Sequence, residues 1–139
     1  MVTRPRVLLA DDHKEVCDSV VRLLTPEFEV VGVVKDGPEL LSAESHIQPD
    51  VCVIDISMPG MCGIEAARLL KERGSRAEII FLTVHEDSDF VRAALDLGAL
   101  GYVVKSRIVS DLCTAIRVAL TGELFISPSP RLRLDDRPS

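Results

Sequence analysis

Val51-Cys52-Val53-Ile54-Asp55-Ile56-Ser57-Met58-Pro59-Gly60 is the stretch that decides the fold. Its first four residues are apolar, mostly β-branched, and do not alternate with polar ones. A strand that is apolar on both faces belongs to a parallel sheet covered by helices on both sides. The run stops on a carboxylate, Asp55, and a Pro-Gly loop follows. Four other runs are built the same way: Val7-Leu8-Leu9-Ala10, Val30-Val31-Gly32-Val33-Val34, Ile79-Ile80-Phe81-Leu82 and Tyr102-Val103-Val104.

Amphipathic stretches separate the runs. Val16, Val20, Leu23 and Leu24 share a helical face, as do Leu112, Ile116, Ala119 and Leu120. Asp36 before Gly37-Pro38 reads as a helix N-cap, and Gly74 closes the helix that begins near Gly63. Asp87 or Ser88 caps a helix running to about Leu97, and Gly98 stops it. Ser110 is expected to cap the last helix. The pattern is (βα)₅, an α/β chain with an open, doubly wound, five-stranded parallel sheet. Ligands of such sheets gather beyond the carboxyl ends of the strands, where the strand order switches. The residues at those ends are Asp11 and Asp12, Asp55, Thr83 and Lys105.

Composition narrows the function. The 139 residues are 47 % apolar and 27 % charged, as in one globular domain. Sixteen basic against 22 acidic residues give a net charge of −6, which opposes binding to a nucleic-acid backbone. Cys17, Cys52, Cys62 and Cys113 are scattered without a C-x-x-C pair, so reduced thiols of a cytoplasmic chain are expected. The apolar run before Asp11, Val7 to Ala10, is only four residues long, so neither a signal peptide nor a membrane span is expected there.

Asp11, Asp12 and Asp55 bring three like charges to neighbouring strand ends. Such a set repels itself unless a divalent cation lies among its members, and an all-oxygen donor set suits Mg²⁺. Lys105 adds a fixed positive charge and Thr83 a hydroxyl. These groups suit a phosphoryl site in which an Asp carboxylate is the nucleophile.

Ala10-Asp11-Asp12-His13, Asp55-Ile56-Ser57-Met58-Pro59-Gly60, Leu82-Thr83 and Tyr102-Val103-Val104-Lys105-Ser106 together resemble the receiver domain of two-component response regulators. The resemblance covers roughly residues 5–122 and implies a flavodoxin-like, CheY-like fold. It implies that Asp55 accepts a phosphoryl group from the phosphohistidine of a sensor histidine kinase. Asp12 and Asp55 would ligate Mg²⁺ directly, Asp11 through water, and Ser57 through its backbone carbonyl. Lys105 would pair with the phosphoryl oxygens. Thr83 would move toward the phosphate, and Tyr102 would swing into the space Thr83 leaves. The domain is then a signalling switch that promotes only its own phosphorylation and dephosphorylation, with self-association on phosphorylation.

Gly122-Glu123-Leu124-Phe125-Ile126-Ser127-Pro128 is similar to the end of receivers of the NarL/FixJ type, in which a linker leads to a DNA-binding helix-turn-helix. Residues 1–122 are therefore read as the receiver and residues 123–139 as a Pro/Ser/Arg-rich linker or tail. The expected whole is a transcriptional response regulator, with a stand-alone receiver as the alternative and no DNA binding by this chain alone. Ser106 stands where many receivers have a proline after a cis bond. Ser57 and His85 flank the acceptor and are expected to set the lifetime of the phosphorylated form. His13 and His85 are read as solvent-facing, because no second His stands at metal-ligand spacing. A flavodoxin-like electron carrier would need a hydroxyl-rich phosphate loop after the first strand and flanking aromatics. The chain has an acidic pair there, no Trp and one Tyr.

Overall fold

The computed structural model describes residues 3–128. Its strands are β1 (Arg6–Ala10), β2 (Glu29–Val34), β3 (Val51–Asp55), β4 (Glu78–Thr83), β5 (Gly101–Val104) and β6 (Phe125–Ile126). Its α-helices are α1 (Lys14–Leu24), α2 (Gly37–Ile47), α3 (Gly63–Glu72), α4 (Ser88–Asp96) and α5 (Ile108–Leu120). The strands form one sheet in the order β2-β1-β3-β4-β5-β6, and every pairing is parallel. The chain moves outward from β1 to β2, then returns past β1 to β3. The switch in order therefore falls between β1 and β3, where a crevice opens at the carboxyl ends.

The unbroken apolar runs become central strands because both faces are covered. Leu8, Ala10, Cys52, Ile54, Ile79 and Phe81 face a core completed by Leu40 of α2, Ala66 and Leu70 of α3, and Val91 and Ala94 of α4. Val7, Leu9, Val51, Val53, Ile80 and Leu82 face the other core, with Cys17, Val20 and Leu24 of α1 and Leu112, Ala115 and Ile116 of α5. Each fully buried Leu or Ile contributes about 1.5–3 kcal/mol relative to exposure.

Helix ends follow the local chemistry. Asp36 Oδ1 accepts the Glu39 N–H at 2.9 Å, and Glu39 Oε1 accepts the Lys35 N–H at 2.9 Å. Asp87 Oδ1 accepts the Asp89 N–H at 2.8 Å at the start of α4. The last helix departs from expectation: Ser110 does not cap it. A 3₁₀ turn, Lys105–Arg107, runs directly into α5, whose N-cap is Arg107. Ser110 already lies inside the helix, and its hydroxyl donates to the Arg107 carbonyl at 3.3 Å.

The sheet also has a sixth strand inside the segment read as linker. Phe125 and Ile126 pair with Gly101 and Tyr102 of β5. The hydroxyl of buried Ser127 donates to Asp111 Oδ2 at 2.8 Å and accepts the Val104 N–H at 3.2 Å. Arg107 Nε holds the same carboxylate oxygen at 2.7 Å. Two residues give no periodicity, so only these long-range partners define the strand. The rest of the expected tail, residues 129–139, lies outside the described residues.

Candidate phosphoryl and cation site

The site is assembled from the ends of β1, β3, β4 and β5. Asp55 is the last residue of β3 and is 1 % exposed; Asp11, directly after β1, is fully buried. The loop after Asp55 is held down on both sides. The Ile56 N–H donates to the Leu82 carbonyl at 3.1 Å, and the Gly63 N–H donates to the Ile56 carbonyl at 2.7 Å. Gly63 is required by this closure, since a Cβ there would lie 2.2 Å from the Asp55 carbonyl oxygen. The Ser57 N–H donates to Asp55 Oδ1 at 3.1 Å and fixes the carboxylate plane.

Lys105, 13 % exposed in its side chain, reaches in from the end of β5. Its Nζ lies 3.0 Å from Asp11 Oδ2 and 3.2 Å from Asp55 Oδ2. Apart from these ion-pair contacts, the two oxygens are buried without a hydrogen-bond partner. Burial raises the Asp55 pKa above the usual carboxylate value, and Asp11 adds to the rise against Lys105 and the Ser57 N–H. Burial opposes the charge on Lys105, but Asp11 and Asp55 outweigh it and hold its pKa above the ordinary lysine value.

His13 lies closer to the acids than the sequence suggested. Its side chain is 58 % exposed, yet Nδ1 is 3.0 Å from Asp11 Oδ1, 3.3 Å from Asp12 Oδ1 and 3.8 Å from Asp55 Oδ2. One ligand atom from each of Asp11, Asp12, His13 and Asp55 falls within 4.8 Å of the others. Histidine spacing does not reveal this group, because its other donors are carboxylates. The available signal was adjacency: His13 follows Asp11-Asp12 directly and starts α1 without a side-chain cap bond.

Thr83 and Tyr102 lie one layer away. Thr83 Oγ1 accepts the His85 N–H at 2.8 Å, and the Tyr102 hydroxyl donates to the His85 carbonyl at 3.1 Å. Tyr102 is fully buried, which pushes its pKa up to about 12, with Thr83 pulling it down and Asp87 adding to the rise. His85 does not simply face solvent. Its Nε2 is 3.0 Å from Ser57 Oγ, and its ring stacks on Phe90 at 4.3 Å, 17° from parallel. It thus joins the loop after β3 to the loop after β4. No peptide bond among the described residues is cis, Lys105–Ser106 included.

A buried acid at the switch point, a second acid, an ion-paired lysine and a hydroxyl define a class: an α/β switch domain with a phosphoryl and cation site. The comparisons make the class specific. The chain belongs to the response regulator receiver domain family, whose model matches residues 7–117. It is 35 % identical over 125 residues to the response regulator GacA of Pseudomonas viridiflava, covering 88 % of this chain and 58 % of that protein. It is 38 % identical over 120 residues to the transcriptional regulatory protein LiaR of Bacillus subtilis (strain 168), covering 85 % and 57 %. The fold is similar to the crystal structure of a LuxR-family two-component response regulator from Aurantimonas sp. SI85-9A1. That match has a TM-score of 0.85 and 34 % identity, covering 94 % of this chain and 93 % of that one. The chain therefore spans a little over half the length of these two curated relatives. Receiver domains are signalling domains that pair with histidine kinases and bind Mg²⁺ at an acidic cluster. In this chain Asp11, Asp12, His13 and Asp55 form a group whose ligand atoms lie close enough to hold an ion. No described helix is long and apolar enough to cross a membrane.

Proposed function

We propose that Asp55 is the phosphoacceptor of this receiver. The observation that carries the reading is the buried Asp55 Oδ2, which has no hydrogen bond and lies 3.2 Å from the Lys105 ammonium. A carboxylate oxygen of Asp55 attacks the phosphorus of a kinase phosphohistidine. The new O–P bond forms as the N–P bond breaks, and the imidazole leaves with the electron pair and takes a proton. Asp11, Asp12, Asp55 and the Ser57 carbonyl would hold Mg²⁺, and the two buried oxygens that have Lys105 but no hydrogen bond suit a hard cation. When bound, the cation would neutralise charge on the transferring group. Lys105 is placed to follow a phosphoryl oxygen, because its ammonium already spans Asp11 and Asp55. Thr83 would move toward the phosphate by giving up the His85 N–H, and Tyr102 of β5, which holds the His85 carbonyl, would follow into the space Thr83 leaves.

Incubation with Mg²⁺ and a small acyl phosphate should add one acid-stable, base-labile phosphoryl group to the chain. Asp55→Asn should remove it entirely; undiminished labelling of that variant would refute the assignment. Magnesium should also stabilise the protein, since it would bind the folded site alone. The gain is about 2.7 kcal/mol when Mg²⁺ exceeds its Kd a hundredfold. Asp12→Ala should lose most of this gain, measured as the Mg²⁺-dependent rise in Tm. An unchanged rise would exclude Asp12 as a ligand.

The whole protein is proposed to be a transcriptional regulator, because relatives such as LiaR carry that name and extend beyond the matched region. This stretch would not itself grip DNA, given its charge of −6. A reading frame that stops at Ser139 would favour the stand-alone alternative.

A further inference from the structure

We propose that His13 is a nitrogen ligand of the cation site and tilts its selectivity toward borderline divalent transition ions such as Co²⁺ or Ni²⁺. The inference rests on reading the acid cluster as the cation site and goes one step beyond it. An octahedral ion with bonds of about 2.1 Å keeps neighbouring donors about 3.0 Å apart and opposite donors about 4.2 Å apart. His13 Nδ1 stands 3.0 Å from Asp11 Oδ1 and 3.3 Å from Asp12 Oδ1, the spacing of neighbouring donors. Its distance of 3.8 Å from Asp55 Oδ2 falls between the two spacings. Without a cation, Nδ1 donates a hydrogen bond to Asp11 Oδ1. A bound cation would take the place of that proton, with Nε2 then carrying the ring proton toward water, and the ring would stay at the ligand spacing it already holds to two carboxylates.

Backbone geometry holds it there. The His13 N–H donates to Asp11 Oδ1 at 2.8 Å, and its carbonyl accepts the Cys17 N–H in the first turn of α1. The side chain makes no capping bond that would draw it toward the helix. Asp11 Oδ2 and Asp55 Oδ2 are buried with no hydrogen bond, and the single Lys105 ammonium they share does not balance the three carboxylates gathered there, which leaves charge for a cation at the same place. Carboxylates alone suit Mg²⁺, whereas an imidazole nitrogen adds little for Mg²⁺ and much for Co²⁺, Ni²⁺ or Zn²⁺.

The test is a double comparison of Mg²⁺ and Co²⁺ binding by calorimetry in wild type, His13→Ala and Asp12→Asn. The His13 side chain is largely exposed, so its removal leaves the core intact. His13→Ala should weaken Co²⁺ about tenfold or more and Mg²⁺ less than about twofold. The Co²⁺-loaded wild type should show a hyperfine-shifted exchangeable imidazole proton in its NMR spectrum, absent from His13→Ala. Equal weakening of both ions, or no change in either, would overturn the role of His13 while leaving the acid site standing. If Asp12→Asn leaves both affinities unchanged, the acid site itself is wrong and the inference falls with it.

Discussion

Gly63→Ala is expected to destabilise the protein by about 3 kcal/mol or more, at the upper end of overpacking effects. The added Cβ would lie 2.2 Å from the Asp55 carbonyl oxygen and 2.9 Å from both the Asp55 carbonyl carbon and the Ile56 Cα. All three are backbone atoms, so no side-chain rotation relieves the clash. Asp55 is fixed by the β3–β4 ladder, and Ile56 is fixed by its N–H bond to Leu82. Relief requires moving the first turn of α3, which would break the 2.7 Å bond from Gly63 to the Ile56 carbonyl. Urea unfolding measures the loss. Phosphorylation should also slow, because the clash bears on the acceptor residue itself. A midpoint within error of wild type would show that α3 does not approach the strand end this closely.

Lys105→Met is expected to have the next largest effect, and its size should depend on pH. Methionine keeps much of the aliphatic stem and deletes the charge. Asp11 Oδ2 and Asp55 Oδ2 would then be buried with neither an ion pair nor a hydrogen bond. Breaking a buried pair costs about 3–5 kcal/mol, and the low end applies here because Lys105 retains some contact with water. The loss should be full at neutral pH in the absence of divalent cations. Asp55 binds its proton more tightly folded than unfolded, since burial and Asp11 raise its pKa. Stability of the metal-free protein therefore falls as pH rises from the ordinary Asp value through the raised one. On acidification through that window Asp55 becomes neutral and needs Lys105 less, so the penalty of Lys105→Met should shrink. Lysine itself has the opposite limit. Its pKa is raised on folding, so its contribution is complete below the ordinary lysine value and is lost as pH climbs past the raised one. Denaturant midpoints of both proteins at neutral and mildly acid pH, with chelator present, check the sign. A penalty that is constant or grows on acidification would contradict it.

The sequence by itself determined the parallel sheet, because each central strand is an unbroken apolar run and both of its faces had to be covered. It also determined which residues stand at the strand ends, and so named Asp11, Asp12, Asp55, Thr83 and Lys105 as neighbours. Helix boundaries were legible where one residue carries the chemistry, as with the Asp36 cap or Gly74 at φ 83°. They were not legible at α5, where the 3₁₀ turn after Lys105 displaced the expected Ser110 cap. The tertiary structure alone decided the sixth strand, whose two residues hold their place through β5, Ser127 and Asp111 rather than through any pattern of their own. It also decided the direction of side chains on loops. His85 bridges to Ser57 because a partner on another strand end determines where its imidazole finds a hydrogen bond, whereas His13 turns back onto Asp11 and Asp12 beside it in sequence. Periodicity records which face of an element is buried; it carries no record of which long-range partner a polar tip will meet.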